Sequence, residues 1–214
     1  MPFINIHTHH KEKDENTVSI VNQYPKSRFY EGYHSVGIHP WYIDETKLND
    51  DFKRLEQMLL NSNCLAVGEC GIDRNIRTNL DLQIEIFKHQ IVLSEKYQKP
   101  VVIHCVRAYD DIIRLKKEWK PTQPWIIHGF NKKIEVAQPL VKNKIFLSFG
   151  KALLSNSAVG NTFANIPFDA FFLETDDAEI MIEEVYTKAI ELRSITMDDL
   201  KNHLCNQFKT LFLK

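Results

Sequence analysis

The sequence predicts an α/β fold, a (β/α)8 TIM-type barrel in which the first crossover helices are short or missing. Short, nearly continuous apolar runs recur along the 214 residues, and such runs are typical of parallel strands buried on both faces. Segments with helical periodicity separate most of these runs. The runs number eight, the strand count of a closed barrel. A doubly wound open sheet is the alternative, although no GxGxxG or P-loop motif supports it.

The eight predicted strands are rich in apolar and β-branched residues. Three of them precede the first helical pattern, and only residues 11–16 separate the first strand from the second, too few for a full helix. The chain is also shorter than the ~250 residues typical of such barrels, as expected for a barrel trimmed at this point. The predicted strands are Phe3–His9, Thr17–Asn22, Ser35–His39, Leu65–Ile72, Val101–Cys105, Trp125–Phe130, Lys144–Phe149 and Ala170–Thr175.

Six helical patterns follow the first three strands. Asp44 and Thr196 are the predicted N-caps of the first and last helices, because their side-chain oxygens can accept from backbone N–H groups. In the second helix, the apolar residues at helical spacing predict a buried stripe of Leu80, Ile84, Phe87 and Ile91. The predicted helices are Glu45–Asn61, Leu80–Tyr97, Asp110–Trp119, Lys132–Val141, Ala178–Arg193 and Met197–Phe212.

The composition is that of a globular chain, with 43% hydrophobic and 26% charged residues. A formal net charge of -1 excludes a broadly basic nucleic-acid coat protein. No apolar run approaches the ~20 residues needed to span a bilayer, and no secretory signal pattern opens the chain. The four cysteines are scattered and form no CxxC pair, which favours reduced thiols. We therefore expect one domain over residues 1–214, cytoplasmic, monomeric and without membrane association.

Polar side chains stand at the ends of six predicted strands. Because the carboxyl ends of all strands in a (β/α)8 barrel meet at one mouth, we expect these side chains to lie together. Side chains alternate along a strand, so His7 and His9 share a face and can bind the same ion. The residues are His7, His9, His39, Glu69, His104, His128 and Asp176.

Imidazoles and carboxylates without thiolates are ligands suited to Zn, Mn or Mg. The set is larger than one tetrahedral ion needs, so two divalent ions sharing a bridging carboxylate are predicted. For any single strand-end histidine, a structural role in hydrogen bonding is the alternative. The set as a whole favours a metal centre.

Several sequence blocks occur in a recognisable order. Two are the most specific, GECGID at residues 68–73 and PVVIHC at residues 100–105. The others are INIHTHH, SVGIHPW, IIHGF, FLSFG, FFLETDDAE and the final NQFKTLF. Together these blocks resemble the TatD family of metal-dependent deoxyribonucleases and hydrolases, within the amidohydrolase-like superfamily. The resemblance extends from residue 3 into the last helix.

The resemblance implies a ligand set for each of two metal ions. His7 and His9 would hold one ion. His104 and His128 would hold the second, and Glu69 would bridge the pair. The ions would be Zn, Mg or Mn, and together they would activate water and draw in an anionic substrate.

The resemblance also implies a reaction, the cleavage of DNA phosphodiesters, commonly from the 3′ end. Asp176 would bind the first ion and orient or deprotonate the attacking water, so it and Glu69 are the implied catalytic residues. His39 matches a family position near the substrate phosphate. Among nearby cations Arg107 is the preferred phosphate partner. Asp73 is expected beside the substrate, orienting a ligand histidine, with a loop cap as its alternative.

The sequence departs from the family pattern at positions that concern the substrate more than hydrolysis. Asn5 stands where the family usually has Asp, and Trp41 replaces the second histidine of an HPH motif. Trp41 could stack a nucleobase or only cover the rim. DNA or another phosphodiester, held locally at the metals, is the expected partner. An amidohydrolase- or lactonase-type enzyme acting on a small molecule is the alternative, and a non-catalytic metal-stabilised scaffold is a third hypothesis.

Overall fold

The computed structural model describes residues 1–11, 14–28 and 30–213. Eight strands are hydrogen-bonded in chain order within one sheet. They are β1 (Phe3–Thr8), β2 (Thr17–Gln23), β3 (His34–Val36), β4 (Cys64–Asp73), β5 (Val101–Val106), β6 (Trp125–Ile127), β7 (Ile145–Phe149) and β8 (Phe171–Leu173). This strand order confirms the predicted (β/α)8 class.

Eight α-helices accompany the strands in the described ranges. They are α1 (Leu48–Leu59), α2 (Leu80–Tyr97), α3 (Tyr109–Trp119), α4 (Ile134–Lys142), α5 (Lys151–Ser155), α6 (Ser157–Asn165), α7 (Ile182–Arg193) and α8 (Met197–Phe212). A short 3-10 helix covers Pro40–Tyr42. None of these helices is long and apolar enough to cross a membrane.

The first two crossovers contain no helix in the residues described, as the sequence predicts. Residues 9–16 join β1 to β2, and residues 24–33 join β2 to β3. Within the predicted loop at 11–16, Glu12 and Lys13 lie outside the described residues, as Phe29 does in the next connection.

The chain divides into two compact units. Unit 1 comprises Met1–Val21 and Ile127–Lys214, and unit 2 comprises Asn22–Ile126. The prediction of a single domain over residues 1–214 stays a prediction.

Unit 1 contains two parallel strand pairs and an aromatic core. β1 pairs with β2, and β7 pairs with β8. Phe149 contacts Phe130 and Phe163 with ring centroids 5.6 and 5.2 Å apart. All three rings are buried, and burial of an apolar side chain of this size stabilises a fold by about 1.5–3 kcal/mol.

Unit 2 is built around β4, which pairs in parallel with β3 and β5. Leu55 of α1, Phe87 of α2 and Trp125 of β6 are fully buried in this unit. The rings of Phe87 and Trp125 meet with centroids 5.5 Å apart.

The bounds of α2 and α8 match the prediction, but the predicted stripe of α2 is partly wrong. Leu80 and Ile84 are only half-buried, whereas Gln83 and Gln90 are buried together with Ile86, Phe87 and Ile91. The two glutamines face inward because their amides hydrogen-bond to backbone groups, Gln83 to Asp73 of β4 and Gln90 to Ile38 in the segment after β3. Apolar periodicity counts only hydrophobic residues and therefore overlooks them.

Cap prediction succeeds for α8 and fails for α1. Thr196 caps α8 by accepting a hydrogen bond of 3.1 Å from the backbone N–H of Asp199. Asp44 accepts instead from Thr46 N in a turn before α1, and α1 begins only at Leu48. The short helices α5 and α6 were not predicted, since neither carries a regular apolar stripe.

Candidate metal centre

The first group of site residues lies where β1 and β8 end in unit 1. Asp176 N donates to the carbonyl oxygen of His7 across 3.0 Å, and His9 N donates to the carbonyl oxygen of Asp176 across 3.0 Å. Asn5 reinforces this junction, because its side chain donates to Thr175 Oγ1 and accepts from Thr175 N. The backbone therefore holds the two histidines and the aspartate at one place.

The imidazoles of His7 and His9 converge on one carboxylate oxygen. Nε2 of His7 lies 3.3 Å from Oδ1 of Asp176, and Nε2 of His9 lies 3.4 Å from the same atom. Asp176 adopts a left-handed backbone with φ 54°, which Asp tolerates better than most residues. His7 is fully buried, whereas His9 and Asp176 remain partly exposed.

His128 and Glu174 complete this group, which we call the Asp176 cluster (His7, His9, His128, Glu174 and Asp176). Nδ1 of His128 lies 3.9 Å from Oδ2 of Asp176 and 3.9 Å from Oε1 of Glu174. Its ring centroid is 4.3 Å from that of His7. Glu174 is fully buried, and its Oε1 accepts a hydrogen bond of 2.5 Å from Gly129 N.

The two carboxyls of the Asp176 cluster have opposite pKa shifts. Burial raises the pKa of Glu174 against the lowering effect of His128. Burial alone would also raise the pKa of Asp176, but hydrogen bonds from His7 and His9 outweigh it and hold that pKa well below its usual range. Asp176 is therefore an anion at neutral pH, as a cation ligand must be.

The second group lies in unit 2, where Glu69 stands in an irregular part of β4. The register of β4 against β5 shifts between Val67 and Cys70, and such a shift re-aims the intervening side chain. Asn22 fixes the segment by accepting from Glu69 N at 2.9 Å. Gly71, at φ 140°, lies so close to β5 that a Cβ atom would be 2.2 Å from the carbonyl oxygen of His104.

His39 and His104 both contact Oε1 of Glu69, through Nε2 at 2.9 Å and Nδ1 at 3.0 Å respectively. Nδ1 of His39 accepts from the backbone N–H of Trp41, so a neutral His39 carries its proton on Nε2 and donates it to Glu69. Nε2 of His104 faces Oδ2 of Asp73 at 3.1 Å, so both nitrogens of this ring face carboxylates. With a cation on Nδ1, the proton of a neutral His104 would stand on Nε2 and be donated to Asp73. We call these four residues the Glu69 cluster (His39, Glu69, Asp73 and His104).

Asp73 links His104 to the rim of unit 2. Its Oδ2 accepts a hydrogen bond of 2.7 Å from the indole N–H of Trp41, and its Oδ1 accepts from Asn75 N. Burial would raise the pKa of Asp73, but the hydrogen bonds from Trp41, Asn75 and His104 lower it overall. The Asp73 carboxylate thus holds His104 and also closes a local turn.

Both clusters have the donor set that a divalent ion requires. The ligand atoms of His7, His128 and Asp176 all lie within 4.8 Å of one another, and so do those of His39, Glu69 and His104. Because both nitrogens of His39 are engaged by Trp41 N and by Glu69, the atoms open to a cation in this cluster are those of Glu69 and His104. Imidazole nitrogens and carboxylate oxygens without thiolates suit Zn, Mn or Mg. The residues therefore fit a metal ion in either cluster.

Three cations near the strand ends, including the predicted phosphate partner Arg107, differ in their surroundings. Arg107 follows β5, is exposed and has a left-handed backbone with φ 53°. Arg74, another cation near the strand ends, forms an ion pair with Asp111 at 2.8 Å. Lys151 lines a cavity of 340 Å³ in unit 1 that Glu174 and Asp176 also border.

The site can now be compared with known proteins. A family model described as TatD related DNase matches residues 2–213. This chain belongs to the TatD family. A protein from Haemophilus influenzae described as an uncharacterized metal-dependent hydrolase is 30% identical over 182 residues, covering 80% of this chain and 68% of the relative. The protein is accordingly a TatD-type metal-dependent hydrolase.

Two further TatD comparisons concern fold and activity. A TatD homologue from Escherichia coli, YjjV, has a crystal structure that superposes with a TM-score of 0.83 at 20% identity, covering 99% of this chain and 98% of that one. This likeness shows the shared fold. A human protein described as the 3'-5' RNA nuclease TATDN2 is 29% identical over 147 residues, covering 65% of this chain and 19% of the relative.

In this TatD-family chain the predicted histidines and carboxylates are divided between the two clusters, and Arg107 belongs to neither. His7, His9, His128 and Asp176 lie together in unit 1, and His39, Glu69, Asp73 and His104 lie together in unit 2. Their assignment to individual ions, including the bridging role of Glu69, stays a prediction.

Three supporting residues were missed by sequence reasoning. Glu174 could have been found, because it is the first polar residue after the apolar run Phe171–Leu173, as the other site residues are at the ends of their strands. Asn22 and Gln90 carried no such signal. Their roles depend on backbone groups far away in the sequence, Glu69 N and Ile38 N respectively.

Proposed function

We propose that this TatD-family hydrolase is a deoxyribonuclease that removes nucleotides from the 3′ end of DNA, using divalent ions held by its two clusters. The convergence of His7 and His9 on Oδ1 of Asp176 carries the proposal, because such a pocket of donor atoms suits a hard or borderline cation. The similarity to a human protein described as a 3'-5' RNA nuclease supports phosphodiesters as the substrate class.

We propose two bound ions, of Zn, Mg or Mn. When bound, such ions lower the pKa of water and offset the charge that develops on a phosphodiester in its transition state. Asp176, ionised at neutral pH, serves as a ligand and orients the attacking water with its second oxygen. In the Glu69 cluster, Glu69 and His104 would hold the cation, with Asp73 accepting from Nε2 of His104, and His39 steadies Glu69 by donating to its Oε1.

The substrate is recognised locally. The formal net charge of -1 offers no general attraction for DNA, so the contacts nearest the clusters must hold the phosphates. Lys151 and Arg107 supply positive charge, and the exposed face of Trp41, whose indole is anchored on Asp73, offers a stacking platform for a base. Short 3′ ends or single strands suit such a site better than duplex.

The test begins with metal-free protein loaded separately with Mn, Mg or Zn. Each form is incubated with 5′-labelled single-stranded DNA, with RNA of the same sequence and with a chromogenic phosphodiester. We expect a ladder of DNA products shortened from the 3′ end, which a chelator abolishes and added metal restores. His7→Ala and Asp176→Asn should each lower the rate by at least about a hundredfold, the loss expected for a group that stabilises the transition state directly.

The control variant is Glu85→Gln, which changes an exposed carboxylate of α2 and should leave the rate unchanged. Metal analysis of every variant separates loss of the ion from loss of chemistry. Faster cleavage of the RNA than of the DNA would assign the nuclease activity to the other nucleic acid. A metal-loaded protein that hydrolyses amides or lactones and leaves all phosphodiesters intact would overturn the proposal.

A further inference from the structure

Unit 2 contains a cavity beside the Glu69 cluster to which the proposed reaction assigns no role. Its volume is 240 Å³, and its lining is mostly apolar. Gly37 contributes to the floor, where a Cβ atom would lie 2.6 Å from the carbonyl oxygen of Glu69. The cavity therefore abuts the backbone that carries Glu69. We call it the Tyr24–Tyr42 pocket; His39, Lys26 and Asp51 also line it.

Two aromatic rings form the walls of this pocket. Tyr24 and Tyr42 meet edge to face, with centroids 5.0 Å apart and ring planes at 88°. The Tyr42 side chain extends from the 3-10 helix and is 56% exposed, so a planar ligand can reach it. Neighbouring residues of a 3-10 helix point about 120° apart, so Tyr42 and Trp41 present separate stacking surfaces.

A paired donor and acceptor stand at the edge of the pocket. Lys26 Nζ lies 2.9 Å from Oδ1 of Asp51. The Asp51 side chain is almost buried, whereas that of Lys26 is half exposed. The ammonium can donate to a ring carbonyl, and the carboxylate beside it can accept from an exocyclic amino group. Both kinds of group occur on the edges of nucleobases.

His39 connects the pocket to the proposed metal site. Its ring lines the cavity, its centroid lies 5.5 Å from that of Tyr42, and its Nε2 contacts Glu69 Oε1 at 2.9 Å. A ligand in the pocket is thus separated from the Glu69 carboxylate by one imidazole. This arrangement suits a ring that is covalently joined to a phosphate.

We propose that the Tyr24–Tyr42 pocket binds a nucleobase of the substrate, next to the phosphate that reaches the Glu69 cluster. The proposal rests on the proposed nuclease function and extends it to base recognition. Base stacking on Tyr42 would supply affinity for any base. The Lys26–Asp51 pair would rank the bases by their edge groups.

Binding to the metal-free full chain tests the pocket without catalysis. The probes are the four deoxynucleoside 5′-monophosphates and 2-deoxyribose 5-phosphate, which lacks only the base. We expect the nucleotides to bind about tenfold more tightly than the sugar phosphate, and Tyr42→Ala to remove that difference. Lys26→Gln should change the ranking among the four bases and leave sugar phosphate binding unchanged. Trp119→Ala, an exposed aromatic outside the pocket, is the matched control.

The outcomes distinguish this proposal from the nuclease proposal. The pocket proposal is overturned if nucleotides and the sugar phosphate bind with equal affinity, or if a base preference survives both pocket variants. This holds even if the protein degrades DNA. Base-dependent binding that Tyr42→Ala abolishes supports the pocket. If the same preparation, loaded with metal, cleaves no phosphodiester, only the nuclease proposal fails.

Discussion

Nε2 of His104 lies 3.1 Å from Oδ2 of Asp73, while its Nδ1 lies 3.0 Å from Oε1 of Glu69. A neutral imidazole carries its proton on one nitrogen, and the carboxylate that receives that proton decides which lone pair remains. Asp73 is itself held by the indole N–H of Trp41 and by Asn75 N. Asp73 can therefore receive the proton on Nε2 of His104 and so leave Nδ1 available to a cation.

We expect Asp73→Asn to weaken metal binding by about 10- to 100-fold, the usual effect of losing a group that orients a ligand histidine. An asparagine has one acceptor oxygen in place of two, so either His104 or Asn75 loses its partner. A competition titration of metal-free protein against a chromophoric metal indicator measures the effect. Glu85→Gln, on the exposed face of α2, should bind metal as the wild type does. An Asp73→Asn affinity within twofold of wild type would contradict the orienting role.

Gln90 of α2 should contribute strongly to stability, because it satisfies both backbone groups of Ile38. Its Oε1 accepts from Ile38 N at 2.8 Å, and its Nε2 donates to Ile38 O at 3.1 Å. Gln90→Ala leaves two buried polar groups without these partners, so we expect a loss of about 2–4 kcal/mol in the free energy of unfolding. Urea titration followed by circular dichroism measures this change.

The matched control for Gln90 is Val92→Ala on the exposed side of the same helix, which should stay within about 0.5 kcal/mol of wild type. A Gln90→Ala loss no larger than that of the control would mean that solvent replaces the amide without cost. Because Ile38 immediately precedes His39, a confirmed loss would also identify α2 as a support of the Glu69 cluster.

The contrast between Gln90 and Phe87 shows what the sequence could predict. Both residues are buried in α2, and apolar periodicity identified Phe87 because burial of a hydrophobic residue follows from its own chemistry. Gln90 is buried only because Ile38, far away in the sequence, presents both of its backbone groups. A polar residue on a helix gives no local sign of such a partner.

The ends of the strands show the same contrast between what the local sequence predicts and what it does not. Polar residues that terminate apolar runs could be predicted as site residues, and they include His7, His104 and Asp176. The end of β8 could not be located, since β8 stops at Leu173 while the predicted strand continued to Thr175. The residues after Leu173 are held by Asn5 and by the backbone of His7, which the local sequence does not reveal.

Tyr186 should make the free energy of unfolding fall at alkaline pH. Its buried hydroxyl accepts from Ile4 N at 2.9 Å and donates to Ile4 O at 3.2 Å, and burial raises its pKa far above the usual value. Below pH ~10 the phenol is neutral in the folded and in the unfolded chain, so its full contribution to the free energy of unfolding is present. Above pH ~10 only the unfolded chain ionises, so this group lowers the free energy of unfolding by up to ~1.4 kcal/mol per pH unit.

Tyr186→Phe removes the hydrogen-bonding hydroxyl and should cost about 1–3 kcal/mol in the free energy of unfolding at pH 7. Its stability should also decline less steeply than that of the wild type between pH 10 and 11. Val92→Ala, at an exposed position of α2, removes no ionisable group and should keep the alkaline slope of the wild type. Urea titrations at each pH give these values, and equal alkaline slopes for wild type and Tyr186→Phe would contradict the prediction.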